Sequence, residues 1–140
     1  TVRRPWPLLA LLLGLSAACH HPQAAPPAPD ITTVKASTRG LYRAAVRPAA
    51  GPIPLDRMHR WTFHLETADG QPVDRATITV NGGMPQHGHG LPTKPRVTRD
   101  LGNGDHLVEG MKFNMGGWWV VKFRVAAAQG PDSLVFNLKL

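Results

Sequence analysis

Met84, His87 and His89 fall within the stretch Met84-Pro85-Gln86-His87-Gly88-His89-Gly90. One thioether and two imidazoles on a short loop make a soft nitrogen and sulfur donor set, which favours Cu(I) over zinc, calcium or magnesium. Thioethers bind without losing a proton, so such a set keeps working where thiols oxidise. If the segment is extended, His87 and His89 share one face and bring two imidazoles to one ion. A second stretch, Met111-Lys112-Phe113-Asn114-Met115-Gly116-Gly117-Trp118-Trp119, offers two more thioethers beside a glycine pair. Methionine also fills cores, so Met111 and Met115 suit the interior as well as they suit a metal.

An HxH pair joined by His106 from a neighbouring strand would give a three-histidine zinc site with an open position. No carboxylate lies close to the pair in sequence, and no serine or cysteine stands beside a plausible base. Asp100, Asp105 and Glu109 read as strand-surface and turn residues. No catalytic residue is assigned, and the chain is not read as an enzyme.

The N-terminus sets the compartment. Arg3 and Arg4 precede an apolar run from Leu8 to Leu15 that is too short to span a bilayer, and Leu15-Ser16-Ala17-Ala18-Cys19 follows. This pattern resembles a bacterial lipobox, giving a signal peptide over 1–18 and a lipidated Cys19. Residues 19–36, rich in proline and alanine, read as a flexible tether, and 37–140 as the folded domain. The expected location is the periplasmic side of the envelope, anchored to a membrane through lipid. His20, where an aspartate would favour the inner membrane, points to the outer one. The single cysteine allows no internal disulfide. The formal charge of +7 would suggest nucleic acid in the cytosol, but export and the lack of basic runs interleaved with aromatics exclude it. Anionic headgroups or an acidic partner face suit that charge better.

Positioning falls to an all-β frame. Short alternating runs recur between turn residues spaced about eight to twelve positions apart, without a helical period. Leu41, Arg43 and Ala45 alternate with Tyr42, Ala44 and Val46, while Trp61, Phe63 and Leu65, then Ala76, Ile78 and Val80, alternate with polar neighbours. Val97, Arg99 and Leu101 follow, and Gly102-Asn103-Gly104 reads as a hairpin turn into His106, Val108 and Gly110. Trp119, Val121, Phe123 and Val125 form the next run, and Leu134, Phe136, Leu138 and Leu140 the last. Seven strands in some hundred residues predict an immunoglobulin-like β-sandwich.

The residues Met84-Pro85-Gln86-His87-Gly88-His89-Gly90, then Pro95-x-Val97, then Gly104-Asp105-His106-x-Val108-x-Gly110-x-x-Phe113-x-Met115-x-Gly117-Trp118 resemble the YtkA-like domain, related to FixH-like proteins. Asp69-Gly70-Gln71-Pro72-Val73 and Ala76-x-Ile78 add to the likeness, which covers most of the chain after residue 37. The family tends to carry an aromatic residue where this chain has His106. The resemblance implies an exported or membrane-anchored β-sandwich. FixH-like members are associated with copper supply and respiratory oxidase assembly, so an envelope copper protein or oxidase is the implied partner. Matching positions give Met84, His87, His89 and Met115 as candidate copper ligands, with Gly88, Gly90, Gly117 and Trp118 shaping the site. The alternative is a metal-free envelope interaction module that uses the His87-Gly88-His89-Gly90 loop for recognition.

Overall fold

The computed structural model describes residues 24–140. The expected signal segment 1–18, Cys19 and the start of the tether lie outside the described residues. Residues 24–32 form no regular element and are exposed. Nine strands follow: β1 (Val34–Ala36), β2 (Tyr42–Pro48), β3 (His59–Thr67), β4 (Thr77–Met84), β5 (His89–Gly90), β6 (Arg96–Gly102), β7 (Asp105–Met111), β8 (Trp118–Ala127) and β9 (Gly130–Lys139).

Seven of these are the strands legible in the sequence. The other two, β1 and β5, are three and two residues long, too short to display an alternating pattern. β1 lies inside the segment expected to be tether, and pairing with β2, as in Val34↔Ala45, makes it a strand. The named strands pair antiparallel in the order β1-β2-β3-β7-β6-β4-β8-β9, with β5 on the side of β4.

Period-two alternation explains the layering, because side chains two apart leave the same face of a strand. Tyr42, Ala44 and Val46 of β2, Trp61, Phe63 and Leu65 of β3, and Trp119, Val121, Phe123 and Val125 of β8 are all buried. Phe63 and Phe123 stack with ring centroids 4.2 Å apart. Their strands are separated in the sheet by β7, β6 and β4, so the contact crosses the interior and the sheet is folded onto itself. The result is the all-β sandwich the sequence predicts, nearly closed into a barrel.

A carboxylate joins the two ends of that sheet. Asp132, at the start of β9, accepts from the Ser37 hydroxyl at 2.6 Å and from the amides of Arg39 at 2.9 Å and Leu41 at 3.2 Å. The amide of Thr38 donates to the Ser133 carbonyl at 2.9 Å beside it. Burial works against the charge on Asp132, but these bonds outweigh it and lower its pKa to about 2. Elsewhere β4 and β6 meet at the single pair Thr79↔Arg96.

Candidate functional site

The β4–β5 hairpin carries the Met and His loop. The Met84 carbonyl accepts from the amides of His87 at 3.1 Å and Gly88 at 3.0 Å, closing a tight turn with Gly88 at φ 66°. That left-handed conformation suits glycine. The turn sets Met84 opposite His89 and Gly83 opposite Gly90. Directly opposed residues project from the same face of a hairpin, so the Met84 thioether and the His89 imidazole leave one side together. Met84 is buried at 1% exposure while His87 and His89 are exposed, so the hairpin carries its thioether on the dry side and its imidazoles at the surface.

The two imidazole centroids stand 5.9 Å apart. Imidazole nitrogen binds first-row metals at about 2.0–2.1 Å, so with the ring radius added two rings on one ion stand at most roughly 6.3 Å apart. The observed spacing falls within that reach. The means differ from the sequence expectation, since a turn and not an extended run brings the two rings together.

Hydrogen bonding selects a tautomer. The Nδ1 of His89 lies 3.0 Å from the Gly90 carbonyl, an acceptor only, so Nδ1 donates and the neutral ring keeps its lone pair on Nε2. A backbone carbonyl on the far nitrogen is the usual device for orienting a metal-ligating imidazole. The donor set and this orientation fit a soft metal ion.

A second segment closes the site. The Trp119 indole meets His89 edge to face at a centroid distance of 5.6 Å, and its Nε1 donates to the Met115 carbonyl at 3.0 Å. Gly117 exchanges backbone hydrogen bonds with Leu140 at 2.8 and 3.0 Å. Its φ is 127°, and a Cβ there would stand 2.7 Å from the Met84 methyl, so that methyl occupies the space a side chain would need. A pocket of about 340 Å³ beside the hairpin is lined by Gly82, Met84, Gly88, His89, Val120 and Lys122 among others.

The fold thus gathers Met84, His87, His89 and Gly117, and Gly90 contributes its carbonyl. Met115 joins through its backbone and is 40% exposed, whereas Met111 is fully buried in the core. Trp119, and not Trp118, is the tryptophan at the loop; the Trp118 Nε1 donates to Asn137 at 3.0 Å. His106 is buried, with Nε2 donating to the Val73 carbonyl at 2.9 Å. Among the described residues no three His, Cys, Asp or Glu side chains group as a metal site, so the three-histidine arrangement is not formed.

One polar constellation was missed in the sequence. His64 bridges Asp105 at 2.7 Å and Glu66 at 3.0 Å, and Arg47 reaches Asp105 at 3.2 Å. Burial disfavours the charged His64 ring, but its hydrogen bonds to Glu66 and Asp105 prevail and raise its pKa above 6.5. The signal available was the outward-facing pair His64 and Glu66, two apart on β3.

Among curated proteins and among solved structures, none matches the chain. A family profile described as YtkA-like does match, over residues 42–124. That span runs from β2 into β8 and includes the whole β4–β5 hairpin, His106, Met115 and Trp119. With more than half of its length covered by that match, including the segments that meet at the hairpin, this chain belongs to the YtkA-like family.

Proposed function

We propose that this protein binds one copper ion, as Cu(I), at the rim of the β4–β5 hairpin. Held at the bacterial envelope by lipid on Cys19, it would serve copper handling or the assembly of a respiratory oxidase. The observation that carries the reading is the His89 ring, tied through Nδ1 to Gly90 with Nε2 left for a metal and the His87 ring 5.9 Å away.

Each residue has a task in this reading. His87 and His89 are the exposed donors that take and release the ion. Met84 supplies a thioether from the dry side, where water cannot compete, and Met115 is the donor from the adjoining loop. Trp119 stiffens the site by linking His89 to the Met115 backbone. Exposed imidazoles above a buried thioether suit transfer to a partner better than permanent storage.

The test is a Cu(I) titration of the full chain against a chromogenic chelator, with the His87→Ala/His89→Ala variant alongside. One ion per chain, held at least about tenfold more weakly by the variant, is expected. Equal binding by both proteins would sink the copper reading and leave the hairpin as a recognition surface for another envelope protein.

A further inference from the structure

Next to the hairpin the sheet comes apart. β4 pairs with β8 continuously from Thr77↔Ala126 to Gly83↔Val120 but meets β6 only at Thr79↔Arg96. A cleft of about 560 Å³ opens there, and the side chains that matter in it are Thr79, Asn81, Lys94, Lys122 and Arg124. No Asp or Glu among the described residues lines it. Among the described residues, none of its three cations is in a salt bridge. Lys94, Lys122 and Arg124 are also exposed. Cations crowded without counter-charge repel one another and focus a positive potential into a cleft, so an anionic occupant is favoured.

Spacing selects the kind of anion. Lys122 and Arg124 lie two residues apart on β8, opposite Asn81 and Thr79 of β4. Each cation therefore stands beside a neutral hydrogen-bonding side chain, and the two pairs are separated by about 6.6–6.8 Å along the strand. Alternate side chains of an extended peptide repeat at that same distance. Donors spread in two stations along a strand match successive carboxylates on such a peptide better than they match one compact phosphate, which needs converging donors. The cleft also continues into the hairpin pocket, since Asn81 and Lys122 line both.

We infer that this cleft docks an extended acidic segment of a partner protein, and that the docked partner is held beside the β4–β5 hairpin. The docking follows from charge and spacing, and only its purpose, metal transfer, rests on the copper reading.

The experiment measures fluorescence anisotropy of a labelled Glu-Ser-Glu-Ser-Glu-Ser peptide with the full chain at low salt. Binding is expected, weakening as salt rises, falling at least about tenfold in Lys122→Ser/Arg124→Ser, and unchanged in His87→Ala/His89→Ala. Arg124→Gln alone serves as a second variant should the double substitution unfold, and should show a smaller loss of the same kind. Peptide binding indifferent to these cations, or none at low salt, overturns the inference. So does inorganic phosphate binding as tightly as the peptide, which would make the cleft a small-anion site. Phosphatidylglycerol vesicles bound through the same cations in place of the peptide would make it a membrane surface and overturn it too. Peptide binding without copper binding would remove the copper reading and leave the docking surface standing.

Discussion

His89 meets Trp119 edge to face, with ring centroids 5.6 Å apart, and the same indole is tied by its N–H to the Met115 carbonyl at 3.0 Å. The tryptophan thus joins the two segments from which the copper ligands are proposed. A metal bound at the His89 ring would sit close enough to an indole to quench its emission. Copper titration is expected to lower tryptophan fluorescence in step with binding, and Trp119→Phe to remove a large part of that decrease. Quenching of equal depth in the variant would show that the ion binds elsewhere.

Gly117 and Met84 form a coupled pair. An alanine at 117 would be strained by its φ of 127° and would press on the Met84 methyl, 2.7 Å from the new Cβ. Gly117→Ala is expected to cost about 1–3 kcal/mol in chemical denaturation and to weaken copper binding by displacing the thioether. Met84→Ala alone should cost about 2–5 kcal/mol, since it empties a buried site. Because Met84→Ala also removes the clash, the two costs should fall short of additive by about 0.5 kcal/mol or more. Strict additivity would mean that the methyl does not constrain position 117.

His106 is expected to be structural. Its buried ring donates to the Val73 carbonyl, so His106→Ala leaves both a void and an unpaired acceptor. A stability loss of about 2–4 kcal/mol should follow, with copper stoichiometry unchanged. Loss of the bound ion from a variant that remains folded would return His106 to the ligand set.

Two titrations tie the stability of the fold to pH. The raised pKa of His64 means its contribution is fully present below the unfolded value of about 6.5 and is lost as pH rises through the folded value. His64→Gln should therefore flatten the fall of melting temperature on the alkaline side; an identical slope in the variant would assign that fall to another group. Asp132, with its pKa lowered to about 2, works in the opposite sense. Its contribution is present above the unfolded value of about 3.9 and disappears as pH falls toward 2. Asp132→Asn should cost about 2 kcal/mol at neutral pH, with the gap to wild type closing in acid.

Much of the architecture is legible in the order of residues alone. Alternation of apolar and polar side chains is a local property, and it marks most of the longer strands, including the inward sets Trp61, Phe63, Leu65 and Trp119, Val121, Phe123, Val125; β6 departs from it, because register shifts break its pairing with β7 and Leu101 is left exposed. The Met and His loop also stands out as a local concentration of soft donors. β1 and β5 did not, because two or three residues carry no period and become strands only through their partners. Which tryptophan touches the loop was equally hidden: adjacent strand residues face opposite ways, and the register of β8 turns Trp119 inward and leaves Trp118 half-buried beside Asn137. The bridge from His64 to Asp105 spans β3 and β7, and the basic cleft exists because β4 and β6 barely pair. Sequence by itself determined strand identity and donor chemistry, since both depend on neighbours along the chain. Tertiary structure alone decided which donors meet, which methionine is buried and where the sheet opens, since these depend on register between segments far apart in sequence.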